Sequence, residues 1–334
     1  MNRFIILLFV SLVFLFSGCI SVVEVQQDAV YVSASGDDSN PGTKSSPVLT
    51  LNRAIDIAKN KSLNKIYVEK GSWVYNNNTT LNIPSDLEIK GGFDSSFLVQ
   101  DGYSTLSGIT LVIDGVNGIT LNKIAVKDSN KALKINNSYN INVSDCKFYS
   151  NYSTSDGGAI GIWNSSDITI SSSYIYNSYS EGYGGGIDIY GSSYVYILSS
   201  TITNCLADVD HNNYGSGGAI SVSSSTNVTI KDNTLYDCGI PSISGANDSV
   251  ISLYGSYNIP GLRIKNNYIR GVSLSSSYGI YEEVNITNHE VVDNSFYSSK
   301  LMYPYYDYTN GSLDITNLNN GQAGTSIATN NTWN

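Results

Sequence analysis

The sequence predicts an all-β chain wound as a right-handed parallel β-helix solenoid with a short N-terminal capping helix, on three observations. The first is a motif of two alternating apolar positions followed by a third five residues later. It reads Ile119-x-Leu121 with Val126, Ile141-x-Val143 with Phe148, Ile168-x-Ile170 with Ile175, Val195-x-Ile197 with Ile202, Val228-x-Ile230 with Leu235, and Leu262-x-Ile264 with Ile269. A repeat of this length is a supersecondary unit that cannot bury its own apolar face and must stack on copies of itself. The second observation is local period: the apolar residues alternate, Ile, Val, Tyr, Thr and Ser dominate, and no helical stripe occurs in the repeats. The third is a second alternating pair after a Gly-rich turn, at Leu133/Ile135, Ile160/Ile162, Ile187/Ile189, Ile220/Val222 and Ile251/Leu253. Each coil then holds three short inward-facing strands, equivalent residues lie about 4.8 Å apart, and corner loops absorb the variable spacing.

Residues 1–18 precede the solenoid. Arg3 supplies a positive start, Phe4 to Phe16 is apolar apart from Ser11, and Phe16-Ser17-Gly18-Cys19 follows. The run is shorter than the about 20 residues a spanning helix needs. It resembles a bacterial lipoprotein signal ending in a lipobox, with Phe16 where Leu is commoner. The resemblance implies cleavage before Cys19, acylation of that residue, and anchoring in the cell envelope, at the outer membrane or cell surface. Residues 19–29 then form a lipidated tether.

Residues 30–75 read as a cap and first coil, and 76–334 as the β-helix. Tyr31-Val-Ser precedes a polar turn, and Leu51, Ala54, Ile55 and Ala58 have helical spacing suited to closing a solenoid end. Asp37, Asp38 and Asn40 admit two readings, a calcium site or a turn held by Asx hydrogen bonds, the second being the simpler. The segment from Tyr31 through Ile66-Tyr-Val68, Gly71 and Trp73 resembles the N-terminal domain of unknown function that begins many secreted β-helix proteins of the pectate-lyase-like superfamily. Gly157-Gly-Ala-Ile160, Gly217-Gly-Ala-Ile220 and Phe148-Tyr-Ser-Asn151 are similar to the repeat tetrapeptides of polymorphic outer-membrane adhesins. These resemblances imply fold, and one fold serves many functions.

Net charge is −10 with 14% charged residues, and no basic patch exists to neutralise phosphates, which excludes nucleic acid as the expected partner. Cys205 and Cys238 fall at one repeat position on adjacent coils. Two readings stand: a disulfide, or a reduced pair buried as small hydrophobes. Cys146 occupies another slot, matched by Ser173, Ser200, Asn233 and Asn267.

Chemistry is thinly written. Arg263-Ile264-Lys265 matches a polygalacturonase element, without the paired aspartates and Gly-His-Gly that should accompany it. No phosphate loop, nucleophile motif or metal-ligand spacing occurs, so no catalytic residue is assigned. Two surfaces remain. Asp156, Glu181, Asp208, Asp210 and His211 fall at one corner of three successive coils, where stacking would gather them as a cation or polar-ligand site, Ca2+ included. Trp163, Tyr190, Ser223 and Tyr254 form one column at strand ends, beside an outward Asp188, an arrangement suited to sugar rings and hydroxyls. The expected function is a lipid-anchored adhesin-like protein that binds a polysaccharide, surface glycan or host or matrix component. The alternative is a polysaccharide lyase or glycoside hydrolase.

Overall fold

The computed structural model describes residues 27–210, 215–240, 248–255, 258–272, 277–297, 301–320 and 327–334, apart from the side chains at 77–78. Cys19, the signal segment and His211 lie outside the described residues. The chain winds as a parallel β-helix. Among the described residues, eleven strands stack on the first face, from Val30–Val32 through Tyr139–Ser144, Ser166–Ser171 and Ser193–Leu198 to Ile327–Thr329. A second face carries Lys147–Tyr149, Tyr174–Tyr176 and Thr201–Thr203, and a third carries Ile160–Trp163, Ile187–Tyr190, Ile220–Ser223 and Ser249–Tyr254. The second and third faces join into one sheet because Gly71–Asn82 and Ser104–Asp114 each run through both. The expected 75/76 boundary therefore falls inside a strand, and cap and solenoid form one stack.

The register is the one the repeats predict. Ile168 pairs with Ile141 and Val195, Ile170 with Val143 and Ile197, and Ile160 with Leu133 and Ile187. These side chains are 0–1% exposed and form a single core running the length of the solenoid. The cap helix α1, Leu51–Lys61, buries Leu51, Ala54, Ile55, Ile57 and Ala58. Its N-cap Thr50 accepts the Arg53 N–H, and Ser62 ends it in the left-handed conformation. Asp37 accepts the Ser39 N–H and hydroxyl, and Asp38 accepts the Leu49 and Thr50 N–H groups. The Asp37 bond to Ser39 is an Asx turn, while Asp38 ties this segment to the start of α1. Among the described residues no helix is long and apolar enough to cross a membrane.

Strands of three to six residues require a sharp corner at each end, and inward polar ladders satisfy the backbone there. After the first face the chain enters the left-handed region at Asp145, Ser172, Ser199, Asp232, Asn266, Asp293 and Asn330, a conformation that Asn and Asp tolerate best among residues with a Cβ. The next residue of each points inward. Ser200 Oγ accepts the Ser173 N–H at 3.1 Å, Asn233 Oδ1 the Ser200 N–H at 2.8 Å, and Asn267 Oδ1 the Asn233 N–H at 3.0 Å. Asn294 and Asn331 continue the series at 3.0 Å each. The Nδ2 groups of Asn233, Asn267 and Asn294 each donate at 2.9 Å to the carbonyls of Ile197, Ile230 and Ile264. A terminal helix α2, Ile315–Asn319, closes the ladder: Asn319 Oδ1 accepts the Asn331 N–H at 3.0 Å. A serine ladder, Ser138, Ser165, Ser192 and Ser225, does the same at another corner.

Cys146, Cys205 and Cys238 are buried free thiols. Cys146 heads the first ladder, where its N–H donates to Ser173 Oγ at 3.2 Å. Cys205 and Cys238 are stacked neighbours, but the Cys205 N–H donates to the Cys238 sulfur and each thiol donates to a carbonyl two residues earlier. In-register side chains on parallel strands point the same way, and in this structure both thiols are reduced.

Removing one rung leaves buried partners unmatched. Asn267→Ala takes an acceptor from the Asn233 N–H and a donor from the Ile230 carbonyl, and is expected to destabilise the fold by about 3 kcal/mol. The partly exposed Tyr196→Ser should change stability by less than about 1 kcal/mol. Chemical denaturation of both variants checks the assignment, and equal losses would contradict it.

Candidate functional site

The outward positions of the third face form two adjacent columns. In one, Trp163 pairs with Tyr190, Tyr190 with Ser223 and Ser223 with Tyr254, as expected. In the other, Gly161 pairs with Asp188, Asp188 with Ser221 and Ser221 with Ser252. Three of these four are Gly or Ser, so the second column is a trough into which the larger side chains of the first can fold.

Trp163 and Tyr254 fold into it. A Cβ at Gly161 would lie 2.6 Å from the indole ring, so the bare backbone of glycine is what lets Trp163 lie back along the sheet. Its Nε1 donates to Asp188 Oδ2 at 2.7 Å. Tyr254 approaches from the other direction, its hydroxyl 3.5 Å from Asp188 Oδ1, an oxygen that also accepts the Ser221 hydroxyl. The expectation of an outward, sugar-binding Asp188 is therefore corrected: its side chain is 0% exposed, sealed beneath the aromatic groups it was expected to accompany. Tyr190 projects into solvent at 47% exposure.

The acidic corner meets this column at Tyr183, a residue the sequence reading passed over. Tyr183 stacks on Tyr254 with centroids 3.7 Å apart and planes within 3°. The Asp156 carboxylate accepts its N–H at 2.8 Å. Burial, and then the neighbouring carboxylates of Glu283, Asp156, Asp188 and Asp208, push the Tyr183 phenol up to about 12. Glu181 lies further out and accepts the Tyr152 hydroxyl at 2.6 Å, Asp208 is buried, and Asp210 is exposed. Among the described residues no group of three or more His, Cys, Asp or Glu side chains is placed to hold a metal ion. Asp156 and Asp208 lie near Tyr183, while Glu181 and Asp210 lie near Tyr152.

Lys131 is a second unanticipated member. It is 6% exposed, bonds to the Asp156 carbonyl and the Ser155 hydroxyl, and holds its Nζ 4.4 Å from the Trp163 ring centroid. Lys134 approaches the same ring at 5.7 Å. Burial, against the opposing pull of Asp188 and Asp156, lowers the Lys131 ammonium to about 8. Burial, reinforced by Asp156, raises Asp188 to about 7, against the hydrogen bonds from Ser221 and Trp163. The small residues at 161, 221 and 252 were the available signal that something must cover Asp188.

The aromatic surface continues past Tyr254. Ser252 pairs with Tyr281, which pairs with Tyr306 and stacks on it at 4.4 Å, and Tyr278 stacks on Tyr303 at 6.0 Å. Five coil steps separate Gly161 from Tyr306, a strip about 24 Å long at about 4.8 Å per step. A separate titratable cluster lies inside the last coils: buried Glu282 accepts the Tyr305 hydroxyl at 2.6 Å, and His289 Nε2 is 2.9 Å from that hydroxyl. Burial raises Glu282 to about 7 and lowers His289 to about 4. With all three side chains at most 1% exposed, this cluster belongs to the core.

Residues 107–296 match the family described as right handed beta helix region. No curated protein matches the chain. Solved structures similar in fold include a Geobacillus virus E2 ORF18 chain, with a TM-score of 0.45, 13% identity and 73% of this chain covered. This chain spans 46% of that protein's length. Pectate lyase Pel9A has a TM-score of 0.49 at 13% identity, covering 92% of this chain and 78% of its own. PfbA, a surface adhesin of Streptococcus pneumoniae, has a TM-score of 0.45 at 14% identity, covering 74% of this chain and 80% of its own.

Asp188 gives stability a signed pH dependence. Its carboxyl titrates near 7 in the folded chain and near 3.9 when unfolded. The folded state therefore binds the proton more tightly between those values, and this contribution is fully present below about pH 4 and lost as pH rises through 7. Asp188→Asn keeps an acceptor for Trp163 and cannot titrate. Urea unfolding from pH 4 to 7.5 should show the parent losing stability relative to the variant, by at most about 4 kcal/mol at about 1.4 kcal/mol per pH unit. Parallel pH profiles would contradict the assignment.

Proposed function

The chain belongs to the right handed beta helix region family, and from that premise we propose that it is a lipid-anchored cell-envelope protein whose third face binds a polysaccharide. The observation that carries this reading is the aromatic strip running from Trp163 through Tyr190 and the Tyr183–Tyr254 stack to Tyr306, which stacks on the buried Tyr281. Flat rings fixed on a rigid sheet offer apolar faces to sugar rings at little conformational cost, with hydroxyl and amine groups at their edges. Asp188 supports the reading from below, because it holds Trp163 and Tyr254 flat before any ligand arrives. A strip of this length along the solenoid axis suits a polymer better than a monosaccharide. Acylation of Cys19 is the anchoring half of the proposal, and it rests on the signal-like residues 1–18.

A second reading, a polysaccharide lyase or glycoside hydrolase, is favoured by one observation. Asp188 near 7 and Lys131 near 8 are values suited to proton transfer at neutral pH. Against it, Asp188 is covered by the very rings that would contact substrate, and a general acid or base must reach the proton it moves.

Binding to a panel of envelope and matrix polysaccharides tests the first reading. Trp163→Ala combined with Tyr190→Ala should weaken binding at least tenfold, about 1.4 kcal/mol or more. Tyr149→Ala with Tyr176→Ala, a stacked pair on the second face, should leave it unchanged. Equal affinity of the strip variant and the parent would remove the strip as the site. Release of shortened or unsaturated sugars, abolished by Asp188→Asn, would favour the enzyme.

A further inference from the structure

Large exposed side chains are unevenly distributed along this solenoid. Among the described residues, those between the first coils and Tyr297 are all tyrosines, whereas the aliphatic ones sit at the ends: Leu49, Val74, Leu98 and Val99 at the start, and Met302 and Ile327 at the finish. Leu98 and Val99 are the adjacent pair, 74% and 56% exposed.

The loop that carries them is built to present them. Asp94 Oδ1 accepts the Leu98 N–H at 2.9 Å and the Val99 N–H at 3.1 Å, while Oδ2 accepts the Ser96 hydroxyl at 2.6 Å. The Asp94 N–H donates to the Val99 carbonyl at 2.8 Å, closing the loop. Phe97 turns inward, 7% exposed, with its ring 5.0 Å from Tyr31. It does so at φ +52°, a conformation unfavourable for a bulky residue. Burying Phe97 against the first strand while Leu98 and Val99 face outward is thus a fixed, strained arrangement.

The chain enters the fold beside this loop. Leu98, Ser96, Lys44 and Tyr31 line a groove of about 780 Å3 together with Gln27 and Asp28. Gln27 is fixed there, its Nε2 donating to the Gly42 carbonyl at 2.8 Å and its Oε1 accepting Lys61 Nζ at 2.7 Å. Eight residues lead from Cys19 to Gln27, a reach of at most about 29 Å at about 3.6 Å per residue. An acyl-bearing Cys19 therefore holds the groove and its loop close to the bilayer surface.

We propose that Leu98 and Val99 form a lipid-contact wedge that enters the interface of the membrane holding Cys19 and seats the N-terminal end of the solenoid on it. The inference rests on the lipid-anchor half of the proposed function and is independent of the polysaccharide strip. Aliphatic side chains gain by leaving water for acyl chains, and Lys44 beside them suits anionic headgroups.

The full-length protein, reconstituted in vesicles of phosphatidylethanolamine and phosphatidylglycerol, provides the test. Leu98→Cys and, separately, Val99→Cys are labelled with the environment-sensitive fluorophore NBD. The unsubstituted protein, whose three thiols in the fold are buried, serves as the labelling blank, and Ser312→Cys near the opposite end as the positional control. The expected result is blue-shifted NBD emission at 98 and 99, quenched by nitroxide-bearing lipids, with aqueous, unquenched emission at 312. Aqueous emission at 98 and 99 in protein whose intact mass shows acylated Cys19 overturns the wedge and leaves the anchor standing. An intact mass without acyl chains overturns both.

Discussion

The constraint on which the rest of this structure depends is the corner. A coil built from strands of three to six residues must turn sharply several times, and each turn removes backbone N–H and C=O groups from any ladder while still burying them. Unmatched, each such group costs about 1–3 kcal/mol, repeated at every coil. The chain meets this with residues that tolerate the left-handed conformation, followed by an inward Ser or Asn whose side chain accepts an N–H from the preceding coil. Asparagine does more than serine, because its Nδ2 also returns a bond to a carbonyl at the end of the first-face strand. The later coils, Asn233 to Asn331, all use it. Asn319 on α2 then gives the last rung an acceptor in place of a further coil.

A ladder of this kind fixes register, and register makes surface chemistry possible. Because each rung joins equivalent residues, outward positions also fall into columns, and a column carries properties that no single coil has. The trough at Gly161, Ser221 and Ser252 exists only because these residues stack. Asp188 exploits it: the carboxylate is buried, yet its cover consists of side chains it bonds. Its raised pKa and the lowered one of Lys131 follow from the same packing, and the flat rings above them follow from it too.

The core was legible because it depends on period alone. Ile168, Ile170 and Ile175 announce themselves by spacing, and so do their counterparts in each coil. The stacking of Cys205 on Cys238 was equally readable, as was the slot shared by Cys146, Ser173, Ser200, Asn233 and Asn267, although its hydrogen bonding was not. Alternation assigned Asp188 correctly to the outer face but says nothing of what lies above it, since that depends on the rotamers of Trp163 and Tyr254, residues from other coils. Tyr183 and Lys131 lie in corner loops, where no period constrains direction, and they join two surfaces that looked separate in the sequence. The short α2 carries too little pattern to be read.

Amide hydrogen exchange tests the ladder account most directly. The backbone N–H groups of Ser200, Asn233, Asn267 and Asn294 donate only to side-chain oxygens, so strand pairing alone gives them no protection. If the ladder holds the coils in register, these amides exchange as slowly as the core strand amides of Ile197 and Ile230, with one shared opening free energy. Exchange at loop-like rates, while the neighbouring strands remain protected, would show that the corners are solvated and that packing alone sets the register.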